Sequence, residues 1–223
     1  MKNNPLGFAV VKYLVDIIAL ALMLFLTAGT LNYVSGWVLV IFLMIAGIVY
    51  GAYMFVFHPE LMSKRMGDRE KSITQLMITG AGLMVFSATI ILSGLTFRFG
   101  WYSFPEWRYF ISIILLVGGC CLLVKVIKIN SFLSTTIKVE NEQKVIQTGP
   151  YGVVRHPMYS AITMLILAVI ISLGSCVALL TSVLLVPILV LRITDEEKVL
   201  SENLGGYKEY MEKTRYRVIP FIW

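Results

Sequence analysis

Six apolar runs, separated by short polar segments, constrain this chain more than any other feature of its sequence. They occupy residues 8–26, 37–57, 73–95, 109–129, 158–173 and 176–193. A helix needs about 20 apolar residues to cross the hydrocarbon of a bilayer, and the first four runs have that length. The last two are shorter and are joined only at Gly174-Ser175. They read as a tight helical hairpin in a tilted or locally thinned arrangement. Pro187 predicts a kink in the sixth helix that frees backbone carbonyls in its cytoplasmic half. A segment in lipid has to bond its own peptide groups, and a helix does so alone. The expected fold is an all-α integral membrane protein of about six transmembrane helices. A cytoplasmic loop and a C-terminal interfacial helix complete it.

Charge supports this reading. Only 14% of the chain is charged and 58% is hydrophobic, against about 25% charged in soluble domains. The net charge of +6 would point to nucleic acid in a soluble protein. Here it follows the excess of Lys and Arg on cytoplasmic loops, and no nucleic-acid partner is expected. With the N-terminus inside and six crossings, every basic residue except Arg98 and Arg108 falls on the cytoplasmic side. That includes Lys64, Arg65, Arg69 and Lys71 after the second run. Both termini are then cytoplasmic, and Trp37, Trp101, Tyr102 and Trp107 form an outer aromatic belt. The first run carries Lys12 and Asp16, four residues apart and able to pair on a helix. It lacks a cleavage site and reads as a retained span rather than a signal peptide. Cys120, Cys121 and Cys176 lie within apolar runs and read as packing residues.

The chain reads as one membrane-embedded domain, 1–223, with four helices over 8–129 and its polar, chemistry-bearing half over 130–223. The segment 137–146 reads as a loop with a short extended piece. The tail over 195–213 has helical spacing, and Leu200, Leu204, Tyr207 and Met211 form an apolar stripe suited to the membrane surface.

The candidate site residues lie at the membrane edge. His156-Pro157 predicts a helix starting at Pro157 with His156 just outside it. A helix start offers unpaired N–H groups and partial positive charge, which suit an anion. Taken alone, Arg155 reads as a basic interfacial anchor. Together with His156 and the helix start it reads as a site for a small ligand's carboxylate or phosphate. Gly149-Pro150-Tyr151-Gly152 reads as a turn that allows close backbone approach, with Tyr151 and Tyr159 able to stack on or bond a ring. Arg192 and Glu196 share one helix face. They read either as a surface ion pair or as a cation for an anionic substrate beside a cofactor-holding acid. Glu197 points about 100° away and reads as solvated. His58-Pro59-Glu60 reads as a helix terminator before a basic loop. Two histidines far apart, with no GxGxxG, P-loop or HExxH, predict no metal site.

These residues together resemble the isoprenylcysteine carboxyl methyltransferase family, in its bacterial and archaeal branch. The resemblance rests on Asn130-Ser131-Phe132-Leu133, Gln143 to Tyr151, and Val154-Arg155-His156-Pro157-Met158-Tyr159. It continues in Arg192-Ile193-Thr194-Asp195-Glu196-Glu197, Leu204-Gly205-Gly206-Tyr207-Lys208-Glu209-Tyr210 and Arg217-Val218-Ile219-Pro220. His58-Pro59-Glu60-Leu61 adds to it, and the first two helices carry little. The resemblance implies a membrane enzyme using S-adenosylmethionine. It implies that Gln143, Lys144, Val145, Ile146, Tyr151, His156, Pro157, Met158 and Tyr159 line the cofactor pocket. It further implies that Glu196 lies at the cofactor and that Arg192 contacts the substrate. Thr136 stands where the family has a polar cofactor contact. Leu204 replaces an aromatic residue, and Ser160-Ala161 a small glycine step.

The implied chemistry agrees with the residues. Methyl transfer is an in-line displacement, so the protein mainly positions. The cofactor's carboxylate suits Arg155, His156 and the helix start. An acceptor carboxylate needs no base but does need a cation, and Arg192 fits. The expected function is carboxyl O-methylation of an isoprenylcysteine-like or other lipophilic acceptor entering from the bilayer, with Arg192 and Glu196 catalytic and no metal. A phospholipid, thiol or amine methyltransferase of the same superfamily is the first alternative. A steroid-reductase-like NADPH enzyme is the second, and a non-catalytic membrane protein such as a small transporter is another.

Overall fold

Each apolar run folds into helix. The computed structural model describes residues 5–67, 72–130, 132–133, 136 and 143–223. Among them the order is α1 (Pro5–Ala28), α2 (Val34–Phe57), α3 (Pro59–Gly67), α4 (Ile73–Phe99), α5 (Trp107–Ile129), α6 (Pro157–Leu173), α7 (Cys176–Ser182), α8 (Leu185–Asn203) and α9 (Tyr207–Lys213). A 3-10 turn, Gly149–Gly152, precedes α6. No strand occurs among the described residues, and one isolated bridge joins Ser103 to Ser175. Lys2, Arg69, Lys71, Lys138 and most of the expected extended piece lie outside the described residues.

Five segments are long and apolar enough to cross a membrane: α1, α2, α4, α5 and the joined α7–α8. The fifth apolar run forms α6, whose 17 residues span about 25 Å at 1.5 Å per residue. That is short of the roughly 30 Å of hydrocarbon. The protein is all-α, as an integral membrane protein of this kind requires. Its outward faces are apolar: Val11, Ile18 and Leu22 on α1, Ile41, Ile45 and Ile48 on α2, and Phe110, Ile114 and Val117 on α5 are all exposed.

Small residues set the helix spacing, because helices in lipid gain by packing rather than by leaving water. At Gly94 of α4 an added Cβ would stand 2.6 Å from the Leu24 carbonyl oxygen of α1. On α5, Gly119 lets the Leu165 side chain of α6 sit 3.0 Å from where its Cβ would be. The inner core joins Ile17, Leu24, Phe25, Tyr33, Leu39, Ile90, Val169 and Leu173. The hairpin turn at Gly174-Ser175 is present, and Ser175 Oγ caps α7 by accepting from Ala178 N at 3.0 Å. Lys12 and Asp16 pair at 2.7 Å on the exposed face of α1.

Three local readings change. Pro187 does not merely bend one helix. The break falls a turn earlier, between Ser182 and Leu185, where bonds shift to the i→i−3 pattern at Val183, Leu184 and Val186. Pro187 has no N–H for the Val183 carbonyl, and the preceding turn tightens to compensate. The polypeptide after His58 is helix α3 rather than loop, because Pro59 fits a first helical position and Glu60 complements the helix dipole. The tail is two helices: α8 continues to Asn203 and α9 restarts after Leu204-Gly205-Gly206. Its apolar stripe is turned inward, with Leu204, Tyr207 and Tyr210 buried against Val145, Leu200 and Met211.

The bundle has two distinct ends. Trp37, Trp101, Tyr102 and Trp107 are exposed around one of them, near the α1–α2 and α4–α5 connections. At the other end lie the 3-10 turn, the start of α6, the last turns of α8 and helix α9.

Candidate functional site

At that second end, a cavity of about 300 Å³ opens between the start of α6, the last turns of α8, α9 and the 143–146 segment. It is at the lower limit of small-ligand pockets. Every residue that the sequence places at the site lines it: Gln143, Lys144, Val145, Ile146, Tyr151, Arg155, His156, Pro157, Met158, Tyr159, Arg192 and Glu196, with Thr136 also on the wall.

Pro157 starts α6 and His156 stands at its N-cap, as the X-Pro rule requires. This projects Tyr159 one turn in. Its hydroxyl donates to Glu196 Oε2 at 2.6 Å and accepts from Arg192 Nε at 3.0 Å. Arg192 and Glu196 share a face of α8, as their spacing predicts, and the Tyr159 hydroxyl links them. Arg192 is held further by Gln75 Oε1 at 2.9 Å and Thr79 Oγ1 at 3.1 Å, both from α4. Gln75, 1% exposed, also donates to Asp195. Nothing in the local sequence around Gln75 marked it, since its partners lie more than a hundred residues on.

Arg155 and His156 are placed differently from the expected anion site. Arg155 Nε donates to Glu197 Oε1 at 2.6 Å, and its Nη1 donates to the Thr214 and Arg215 carbonyls at 2.9 and 3.1 Å. His156 Nε2 lies 3.2 Å from the same Glu197 oxygen. The backbone N–H groups of Arg155 and His156 donate to Tyr216 and Arg217 carbonyls at 2.8 Å each. Their polarity thus holds the C-terminal tail against α6. Glu197 is correspondingly not solvated but 5% exposed, with Arg217 Nε donating to its second oxygen at 2.8 Å. A lone helical projection turns Glu197 away from Glu196, but it cannot show that the tail folds back to cover that face.

The aromatic wall is also pre-set. Tyr151 accepts a 2.7 Å bond from Asn130 Nδ2, and its carbonyl accepts one from Tyr210 Oη at 2.7 Å. Burial pushes the Tyr151 hydroxyl up to about 12 despite the Asn130 bond. Gly149, at φ +60°, lets the 3-10 turn tuck under α5, where a Cβ would meet Ile129 Cδ1 at 2.6 Å. Tyr207 lines the cavity, yet its buried hydroxyl has no hydrogen-bond partner among the described residues. Burial, with Glu197 and Glu196 nearby, raises its pKa, so it stays a neutral donor. A buried hydroxyl without a partner is costly. The sequence reading counted Tyr207 only as part of an apolar stripe. Among the described residues no group of three or more His, Cys, Asp or Glu is arranged to hold a metal.

Residues 107–206 match the phospholipid methyltransferase family. The match runs from α5 to the Gly205-Gly206 break, so it covers most of the cavity wall and omits α1, α2, α3, α4 and α9. A search of curated proteins finds no match. The family match supports a membrane methyltransferase.

Proposed function

We propose that the protein is an S-adenosylmethionine-dependent membrane methyltransferase whose acceptor is a lipophilic molecule carrying an anion. The observation that carries this reading is the Arg192–Tyr159–Glu196 relay at the mouth of one cavity at the end of an apolar bundle. The cavity's donor set suits S-adenosylmethionine. Glu196, partly exposed to the cavity, suits an ammonium or ribose hydroxyls. The Tyr207 hydroxyl suits an acceptor atom, and Tyr151, Ile146 and Met158 suit an adenine ring. Bound there, S-adenosylmethionine supplies an electrophilic methyl group on a sulfonium.

Arg192 orients the acceptor. Its guanidinium is held in one plane by Tyr159 at Nε and by Gln75 and Thr79 at Nη1, and arginine binds carboxylate or phosphate in two-pronged fashion. Tyr159 keeps Arg192 and Glu196 in register. Apolar side chains of Ile146, Met158, Ile162 and Leu200 exclude water from the reacting groups. An acceptor carboxylate is ionised already, and Glu196 is engaged by Tyr159, so carboxyl O-methylation of an isoprenylcysteine-like acid is the reading the site chemistry favours. The family match favours a second reading, N-methylation of a phospholipid amine, with Arg192 on the phosphate and Glu196 beside the amine. The active site then faces the cytoplasm, as the distribution of basic residues supports.

Purified protein titrated with S-adenosylmethionine, its demethylated product and NADPH tests the donor. Binding of the first two and not of NADPH is expected, and binding of NADPH alone overturns the reading. Native membranes incubated with methyl-tritiated donor then separate the acceptors. An ester releases labelled methanol in base, and an N-methyl group does not. Absence of any labelled lipophilic product overturns both.

A further inference from the structure

A second and larger cavity is at the opposite end of the bundle, and it shares no lining residue with the one just described. It measures about 900 Å³ and lies between α2 and α5, with α6 behind it. Its inner part is apolar, walled by Val38, Leu39 and Phe42 of α2, Ile113 and Leu116 of α5, and Val169 of α6. Where α2 and α5 begin it is polar and carries Arg108, Tyr109 and Ser35. From Ser35 to Phe42 the apolar wall runs roughly 10 Å along α2.

Arg108 is the unusual member. Its side chain is 12% exposed, and the carboxylate beside it, Glu106 at 3.9 Å, is 84% exposed. Glu106 is therefore a solvated partner that neutralises little. Nη2 donates to Tyr109 Oη at 3.0 Å and reaches Ser35 Oγ at 3.5 Å, Nη1 donates to the Phe104 carbonyl, and the buried Nε has no partner among the described residues. All of these acceptors are neutral. Arg155, 6% exposed at the other cavity, has a buried carboxylate at 2.6 Å. A buried cation without a close counter-charge is expensive, and an anion at the polar end of this cavity removes the cost.

We propose that this cavity is a second lipid site, which takes an anionic membrane phospholipid with its phosphate on Arg108 and an acyl chain between α2 and α5. Two features favour a lipid. The cavity has an amphiphile's own pattern, charged at one end and apolar along its length. Arg108 shares the cavity wall with exposed Trp101 and follows exposed Trp107 in the chain, and such tryptophans are enriched at the headgroup level. The proposal does not rest on the methyltransferase reading.

Native mass spectrometry of the purified full-length protein, titrated with phosphatidylglycerol, tests it. The wild type is expected to hold one tight equivalent. Arg108→Gln lowers that affinity by about tenfold or more, the scale of a lost hydrogen bond to a charged group. Val38→Trp, which fills the apolar part and leaves Arg108 in place, lowers it as well. Arg192→Ala, at the other cavity, leaves it unchanged. Uncharged diacylglycerol binding as tightly as phosphatidylglycerol, displacement of the lipid by inorganic phosphate, or a tight equivalent that survives both Arg108→Gln and Val38→Trp overturns the proposal. So does loss of the tight equivalent in Arg192→Ala, or a second copy of the chain occupying the face instead of lipid.

Discussion

Arg155 and Glu197 form a buried ion pair, 2.6 Å between Nε and Oε1, that ties the start of α6 to the last turns of α8. Both side chains are 6% exposed, and the C-terminal tail closes over them through Arg217 and the Thr214 and Arg215 carbonyls. Arg155 lines the cavity, and Glu197 backs it from behind the wall. The pair's charges are spent on the protein, while Arg192, Glu196 and Tyr207 line the cavity itself.

Removing one member of that pair strands the other in a buried setting. Arg155→Ala and Glu197→Ala are each expected to cost about 3–5 kcal/mol, and the double variant costs less than the sum. Arg217→Ala, on a side chain 31% exposed, costs no more than about 1 kcal/mol. Thermal unfolding in one detergent across the four variants checks this. Equal, small shifts in all of them remove the pair's structural role.

Tyr207→Phe separates ligand binding from folding. The hydroxyl has no hydrogen-bond partner among the described residues, so its removal is expected to leave the unfolding temperature unchanged or raised. Donor affinity is expected to fall by about 2- to 12-fold, the scale of one neutral hydrogen bond. Calorimetric titration with S-adenosylmethionine reads the second effect. Unchanged affinity places the Tyr207 hydroxyl outside the ligand site.

Arg192 and Glu196 are expected to part company kinetically. Arg192→Ala loses about 100-fold or more in kcat/KM for the acceptor, as misplacement by an ångström does, with donor binding retained. Arg192→Lys recovers little, because an ammonium cannot bond Tyr159, Gln75 and Thr79 in the same plane. Glu196→Gln weakens donor binding as well as turnover. Near-normal turnover in Arg192→Ala takes that residue out of the acceptor site.

Gly94→Val tests the packing of the four-helix half. Its branched side chain would meet the Leu24 carbonyl and the Thr27 hydroxyl of α1, and overpacking of this kind costs about 1–3 kcal/mol. The same change at Gly51, where nothing lies within 4 Å of an added Cβ, is expected to be far milder. Paired thermal unfolding curves decide between a close helix crossing and a general intolerance of valine.

What the sequence determined by itself was local or periodic. Apolar length specified the helices, because lipid leaves each segment to satisfy its own backbone. His156-Pro157 specified where α6 begins, because proline excludes the preceding residue from helix. The spacing of Arg192 and Glu196 specified a shared face. Which charges are free to meet a ligand was decided only in three dimensions. Arg155 and His156 read as an anion site until the tail, some sixty residues on, was found to take up their donors. Glu197 read as solvated from its position on the helix and is buried, because the tail covers that face. Gln75 reaches Arg192 from a separate helix, and Tyr207 is buried, with its hydroxyl unpartnered among the described residues, because α9 folds inward. Burial and partnering depend on contacts between distant segments, and helical spacing carries no information about those.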